Sequence, residues 1–133
     1  MIFVDTNVLL DVVTDDPVWK PWSLSEIERA AASDQLAIND VVYAELSVRY
    51  AKMEDLEALI TEMSLSLEPM PRSALFHAGK VYQQFRSAGG TRLGVPPDFF
   101  MGAHAAATAN PLITRDARRY RTYFPGVKLI SPP

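Results

Sequence analysis

The chain begins MIFVDTNVLLDVV at residues 1–13, and this stretch decides how the fold starts. The run IFV is short and apolar, as in a buried strand. The segment NVLLDVV that follows has helical character. Asp5 stands at the junction, where burying a carboxylate costs free energy unless donors or a positive charge pair with it. The stretch therefore predicts a strand, a carboxylate and a helix, in that order.

The same alternation continues along the chain. We predict strands at residues 2–5, 35–38, 65–68, 111–114 and 127–130. Helical patterns fill the intervals, at residues 7–13, 22–33, 40–52, 53–63, 72–88 and 98–109, and a further helix begins at Asp116. Buried strands separated by helices are typical of a parallel sheet that is covered on both faces. We therefore expect an α/β fold in one domain, residues 1–133.

The composition limits the possible classes of protein. The 133 residues are 48% hydrophobic and 22% charged, which is ordinary for a globular domain. The absence of cysteine excludes disulfides, thiol nucleophiles and cysteine-ligated metals, and it fits a reducing cytoplasm. The first residues lack the basic segment of a signal peptide, and no apolar run is long enough to cross a membrane. We expect a cytoplasmic protein without a membrane partner.

Three aspartates occupy related positions in this plan. Asp5, Asp98 and Asp116 each precede or begin a predicted helix, and two of them come directly after a predicted strand. Because the carboxyl ends of parallel strands meet at one edge of a sheet, these side chains can lie close together. The alternative is that each aspartate simply caps its helix, a position that aspartate favours.

Glu45 is a fourth candidate. It borders the apolar face of the predicted helix 40–52, a face formed by Val41, Val42, Leu46 and Val48. The alternative is a surface glutamate that pairs with a lysine. If Glu45 faces the aspartates, four carboxylates meet, and they cannot all ionise without a cation.

The available ligands indicate which cation this is. The donors are oxygen atoms, there is no cysteine, and His77 and His104 stand apart in the sequence. Such a set favours Mg²⁺ or Mn²⁺ over zinc. Magnesium held by a few carboxylates commonly engages substrate phosphates. The predicted chemistry is phosphoryl transfer or phosphodiester hydrolysis.

The charge distribution bears on the substrate. The formal net charge of −3 argues against a nucleic-acid partner, since phosphate contacts need lysine and arginine. Without the four candidate acids, however, 12 acidic residues face 13 Lys and Arg. Residues 115–128 carry five basic side chains against one acid. These are either a basic surface for RNA or ordinary solvated charges.

Four segments together resemble a known family. They are residues 1–12, the pair Ala44–Glu45, residues 97–107 (PDFFMGAHAAA) and residues 112–132 (LITRDARRYRTYFPGVKLISP). They resemble the PIN domain family, especially the VapC-like toxin ribonucleases of bacterial toxin–antitoxin modules. The resemblance implies a three-layer fold with a short central parallel β-sheet flanked by helices on both faces. It also implies an RNA-cleaving site that uses Mg²⁺ or Mn²⁺, a homodimer, and an inhibitory antitoxin partner.

The resemblance also implies roles for individual residues. By this resemblance the catalytic carboxylates would be Asp5, Glu45, Asp98 and Asp116. Asp5, Asp98 and Asp116 would hold the metal, and Glu45 would orient or deprotonate the attacking water or bind a second metal. Supporting roles fall to Asn7 and Thr114 as polar neighbours of the acids, and to Arg92, Arg115, Arg118 and Arg119 as contacts for the RNA backbone.

A pair of tryptophans and two other classes of function remain open. Trp19 and Trp22 either anchor the antitoxin or lie in the core.

A hydrophobic strand that ends in an acid is also found in phosphatases that form an aspartyl phosphate, which here would form on Asp5. Those enzymes need a second acid at the position where this chain has Asn7. The other alternative is a noncatalytic module that binds RNA or forms complexes. The sequence does not indicate which RNA is the substrate.

Overall fold

The structure is a computed structural model, and it describes residues 1–91 and 93–133. Arg92, one of the predicted RNA contacts, lies outside the described residues. Twelve helices and strands follow one another in the described part of the chain: β1 (Ile2–Val4), α1 (Thr6–Val13), α2 (Lys20–Ser33), β2 (Leu36–Asn39), α3 (Asp40–Ser47), α4 (Met53–Glu62), β3 (Ser66–Glu68), α5 (Arg72–Ser87), α6 (Pro97–Thr108), β4 (Leu112–Ile113), α7 (Arg118–Tyr123) and β5 (Leu129–Ile130).

The five strands form one parallel sheet in the order β3-β2-β1-β4-β5. Strand β1 is central, with Phe3 paired to Ala37 of β2 and to Leu112 of β4. The chain moves outward from β1 to β3, and then returns past β1 to β4 and β5. Because parallel crossovers are right-handed, this reversal assigns α1 to α4 to one face and α5 to α7 to the other. The predicted α/β fold with a three-layer arrangement is confirmed.

The core lies on both faces of the sheet. All residues of β1, β2 and β4 are buried, as expected for strands covered on both sides. Helix α6 packs closely, since a methyl group on Gly102 would lie 2.4 Å from Cδ2 of Phe124 just after α7. Glycine at this position therefore lets α6 and α7 approach each other. Within the described residues, no helix combines the length and apolarity needed to cross a membrane.

Four of the five strand predictions agree with the structure to within one residue at each end, whereas the strand predicted over 127–130 begins two residues later, at Leu129. The helix predicted over 22–33 begins two residues earlier, at Lys20, and two further helix predictions also need correction. The helix predicted over 40–52 ends at Ser47, where the N–H groups of Arg49 and Tyr50 bond to carbonyls three residues earlier and tighten the last turn. Val48 is consequently 84% exposed and does not belong to the buried face. The helix predicted to begin at Asp116 begins at Arg118.

Candidate active site

A cleft of about 370 Å³ opens at the carboxyl edge of the sheet. Asp5 reaches it from the end of β1, Glu45 from α3, Asp98 from the first turn of α6, and Asp116 from the loop between β4 and α7. The cleft is lined by Asp5, Thr6, Asn7, Leu10, Glu45, Pro97, Asp98, Asp116 and Tyr120. The fold thus brings all four predicted acids to one cleft.

Asp5 is the most enclosed of these acids, with 9% of its surface exposed. Its Oδ1 accepts a hydrogen bond from the Thr6 N–H at 2.8 Å. Its Oδ2 accepts bonds from the Tyr120 hydroxyl at 2.8 Å and from the Thr114 hydroxyl at 2.9 Å. Donors from three segments therefore stabilise and orient this carboxylate.

Burial has a marked effect on the protonation of Asp5 and its neighbour. Burial raises the pKa of Asp5 above its ordinary value and outweighs the three hydrogen bonds, which lower the pKa; the charge of Glu45 raises it further. Burial also raises the pKa of Tyr120 well above its ordinary value, and the adjacent Asp5 carboxylate adds to this effect. Tyr120 therefore stays a neutral hydrogen-bond donor.

Glu45 is half-buried on the cleft side of α3. Its Oε1 accepts a hydrogen bond from the Thr6 hydroxyl at 2.7 Å. Since the N–H of Thr6 also bonds to Asp5, this one threonine connects the two carboxylates. Glu45 therefore faces Asp5 rather than a surface lysine.

Asp98 lies across the cleft, in the first turn of α6. The Arg119 guanidinium donates to its two oxygens at 3.2 and 3.4 Å. The same guanidinium stands over the rings of Phe85 and Phe99, at 5.2 and 5.6 Å from their centroids. Arg119, one of the predicted RNA contacts, is therefore paired with a candidate metal ligand.

The loop after β4 is joined to the start of α1 by Asn7 and Thr114. The Asn7 Oδ1 accepts the backbone N–H of Arg115 at 3.2 Å, and its Nδ2 lies 3.5 Å from both Asp5 Oδ2 and Thr114 Oγ1. The Asp116 N–H donates to the Thr114 hydroxyl at 3.2 Å. Both predicted polar neighbours thus contact Asp5, and Thr114 also contacts the loop that carries Asp116.

Helix capping explains only one of the three aspartates. Asp5 is the N-cap of α1, and its side chain accepts from the first N–H of the helix. Asp98 follows the N-cap of its helix, which is Pro96, and Asp116 precedes the N-cap Ala117. Neither of those caps makes a side-chain hydrogen bond. N-capping therefore does not explain the positions of Asp98 and Asp116, although the charge of Asp98 in the first turn of α6 also suits the helix dipole.

The predicted RNA-contacting arginines have different surroundings. Arg118 is exposed on α7, whereas Arg115 bonds through Nε and Nη2 to both oxygens of Asp11, each at 2.9 Å. The ring of Trp19 also lies beneath the Arg115 guanidinium, 5.2 Å from its centre. These contacts leave Arg115 poorly placed to bind an RNA phosphate.

Sequence reasoning missed Tyr120, Thr6 and Asp11. Thr6 had a signal, because it belongs to the polar group Asp5-Thr6-Asn7 inside an apolar run. Asp11 also interrupts an apolar helix, and a buried acid on such a helix needs a partner. Tyr120 had no signal, since its contact with Asp5 depends on how α7 packs beneath the cleft.

The residues of the cleft suit a hard divalent cation by the chemistry of their donors. Carboxylate oxygens predominate, with hydroxyl and amide groups beside them, and these are the ligands that Mg²⁺ and Mn²⁺ prefer. Among the described residues, no three acidic or histidine side chains lie close enough together to enclose an ion. Magnesium does not need such a cage, because it is commonly held through one or two carboxylates and keeps several waters.

The fold and the cleft together define the class of protein: it is an α/β protein with an acidic cleft at the carboxyl edge of a parallel sheet. The PIN domain family model matches residues 2–125. The chain belongs to the PIN domain family. No curated protein matches the sequence.

Several solved structures share this fold. VapBC2 from Rickettsia felis, bound to a DNA fragment from its promoter, superposes with a TM-score of 0.74 at 21% identity, over 100% of both chains. A toxin–antitoxin complex from Klebsiella pneumoniae gives 0.73 at 19% identity, covering 100% of this chain and 98% of that one. VapBC-1 from nontypeable Haemophilus influenzae gives 0.73 at 19% identity, with 98% of each chain covered.

Proposed function

We propose that this protein is a Mg²⁺- or Mn²⁺-dependent endoribonuclease and the toxin of a toxin–antitoxin pair. One observation carries the proposal: four carboxylates from distant segments line a single cleft. Side chains of like charge are costly to gather unless a cation or a function requires them. Membership of the PIN domain family and the likeness of the fold to toxin–antitoxin complexes support the same conclusion.

In this proposal Asp5, Asp98 and Asp116 would hold the metal, one or two of them directly and the others through its bound waters. The chemistry that bound Mg²⁺ or Mn²⁺ supplies is polarisation of the phosphodiester and of an attacking water. Tyr120, Thr114 and Thr6 keep the Asp5 carboxylate oriented toward the cleft through their three hydrogen bonds. An acid held in this way needs little reorganisation when ligands arrive.

Glu45 is the candidate for orienting or deprotonating the water. Glu45 lines the cleft, and its Oε1 is held by the Thr6 hydroxyl next to Asp5. Arg119, which pairs with Asp98 at the cleft, and the exposed Arg118 before it in α7 are the candidates for binding the RNA backbone. A bound phosphate would then replace Asp98 as the partner of Arg119.

The proposed partners are an antitoxin and a second copy of the chain. The chains similar to this one come from toxin–antitoxin complexes, which supports an antitoxin partner. Trp19 and Trp22 are both half-buried and pack edge to face, with ring centroids 6.5 Å apart. Trp22 also packs against the core. Their exposed edges would serve as part of the antitoxin-binding surface.

The test is RNA cleavage by the purified protein and by Asp98→Asn. The intact protein should cleave RNA with Mg²⁺ or Mn²⁺, and cleavage should stop with EDTA. Asp98→Asn should cleave at least about a hundredfold more slowly, because it removes charge that the metal needs. Its metal-free stability should change by less than about 1 kcal/mol, since the pair with Arg119 is half-exposed.

The matched control is Asp40→Asn. Asp40 lies in the first turn of α3, is exposed, and does not line the cleft. It should cleave RNA at the rate of the intact protein. Undiminished cleavage in EDTA would contradict the metal mechanism, and equal rates for the two variants would remove Asp98 from the site.

A further inference from the structure

An ion pair between α1 and the loop after β4 has no part in the chemistry proposed above. Asp11 lies in α1 with only 2% of its surface exposed, and its partner Arg115 precedes Asp116 in the loop after β4. Burying a carboxylate is costly, and apolar side chains of similar size often stabilise a core as well or better. The pair therefore calls for a reason other than stability.

The geometry of the pair is tightly defined. Arg115 Nε donates to Asp11 Oδ2 and Arg115 Nη2 to Asp11 Oδ1, both at 2.9 Å. The buried Ser23 hydroxyl of α2 donates to Asp11 Oδ2 at 2.6 Å. Trp19 stacks on the guanidinium from the other side. A planar guanidinium bound by both ends of a carboxylate has little freedom to turn.

This pair joins the two segments that build the cleft. One end is on α1, the helix that Asp5 caps, and the other is on the loop that carries Thr114 and Asp116. The backbone N–H of Arg115 is held separately by Asn7. The side chain and the backbone of one residue are thus both attached to α1.

We propose that Asp11 and Arg115 are positioning residues that set the distance between Asp5 and Asp116 by holding the loop after β4 against α1. This inference rests on the proposed function. Asp11 touches none of the residues that would bind the metal, and acts on Asp116 only through Arg115. Arg115 accordingly has a structural partner in the protein rather than an RNA phosphate.

The first measurement needs no metal and no substrate. In Asp11→Asn, amide exchange followed by NMR in EDTA should become about tenfold faster at Arg115 and Asp116, because the loop opens locally. Exchange at Phe3, in the central strand, should not change. Val81→Ala is the control, since it weakens the core of α5 on the other face of the sheet and leaves the pair intact. In this control, the amides of Arg115 and Asp116 should exchange no faster than its lowered global stability accounts for, because the loop does not open locally.

The second measurement is binding of Mn²⁺, followed by the electron paramagnetic resonance signal of the free ion. Asp11→Asn and Arg115→Gln should each bind Mn²⁺ about tenfold more weakly, as happens when groups that orient metal ligands are removed. The double variant should lose no more than either single variant, because both act through one contact. Arg115→Lys and Ser23→Ala, milder changes, should fall between these and the intact protein.

Each result decides the matter. Unchanged exchange at Arg115 and Asp116 overturns the inference, and so does faster exchange with normal Mn²⁺ affinity. Additive losses in the double variant overturn it as well. If the intact protein neither binds Mn²⁺ nor cleaves RNA, the proposed function fails and the inference with it, and this result is obtained on the intact protein before any variant is compared.

Discussion

Asp5 shows how much of the site depends on single contacts. Its carboxylate is almost enclosed, and its three donors come from α1, from the end of β4 and from α7. A buried carboxylate that loses a donor cannot regain it from water. The role of each donor can therefore be measured one hydroxyl at a time.

Tyr120→Phe should lower the free energy of unfolding in EDTA by about 1.5–3 kcal/mol, the usual contribution of a hydrogen bond to a buried charge. The ring remains, so packing is unchanged. Urea unfolding provides the measurement. The matched control is Tyr43→Phe, whose hydroxyl donates to the exposed Glu57 at 3.1 Å and should contribute far less. Equal losses of unfolding free energy in the two variants would show that the buried bond to Asp5 stabilises the protein no more than the exposed bond to Glu57.

His104 provides a pH-dependent contribution to stability. It is buried on α6, its ring packs on Phe3 with centroids 4.6 Å apart, and its Nδ1 lies 3.2 Å from the Asn39 amide nitrogen. Neutral Nδ1 accepts a bond from that amide. Burial lowers the pKa of His104 below its ordinary value, while the charges of Glu68 and Asp40 oppose this effect.

The folded state therefore favours neutral His104, and its contribution to stability is present above pH 6.5 and lost as the pH falls through the lowered pKa. Urea unfolding in EDTA between pH 7.5 and 5 should show this loss in the difference between the intact protein and His104→Gln, with a slope of at most about 1.4 kcal/mol per pH unit. The raised pKa of Asp5 acts in the opposite direction, but it does so in both proteins and cancels in the difference. The loss should be absent from His104→Gln, so the difference between the two proteins should shrink toward acid. A constant difference would contradict the prediction. Exposed His77→Gln should follow the intact protein.

At the scale of whole elements, the contact between α6 and α7 places two site residues. Helix α7 carries Arg119 and Tyr120, and its position depends on how closely the chain after it approaches α6. Gly102 permits this approach because it has no Cβ to meet Phe124. A shift of α7 would move both residues relative to Asp5 and Asp98.

Gly102→Ala should lower the free energy of unfolding by about 1–3 kcal/mol through overpacking, although alanine favours a helix. RNA cleavage should fall more than stability alone explains, because α7 moves. Gly79→Ala is the control, since its new methyl group meets nothing within 4 Å on α5. It should raise stability by about 0.5–1 kcal/mol. Similar results for the two variants would mean that α6 and α7 adjust freely.

For the whole molecule, charge is concentrated rather than spread. The four acids of the cleft account for more than the formal net charge of −3, and the remaining surface is close to neutral with basic side chains on α7. This distribution is compatible with the proposed function, because an RNA strand would meet little repulsion outside the cleft and a bound cation would offset the charge of the four acids.

Expression of the chain alone in a bacterium should arrest growth, as the proposed toxin role requires, and Asp5→Ala should restore growth at an equal protein level. Colony counts after induction and immunoblots measure the two quantities. Normal growth with the intact protein at high level would contradict the toxin role, even if the purified protein cleaves RNA.

Many of the helices and strands of this fold can be predicted from the local pattern of apolar and polar residues. The three apolar residues of β1, the acid after them and the helix that follows can be identified from residues 1–13, because strand burial and helix periodicity depend on neighbours in the chain. Placing Asp5 and Asp116 at one sheet edge needed only the rule that parallel strands end on the same side. Local pattern gave no means of locating the end of α3 at Ser47, because that end depends on tightened turns that most sequences can form.

The sequence by itself therefore determined the succession of strands and helices along the chain, the four acids that line the cleft and the oxygen chemistry of that cleft. Only the tertiary structure decided that Tyr120 and Thr6 hold Asp5 and Glu45, that Arg119 pairs with Asp98, and that Arg115 is bound by Asp11. The physical reason is that each of these contacts joins residues distant in the chain, whose approach depends on how helices pack on the sheet. Periodicity reports which face of an element is buried, but not which side chain it meets there.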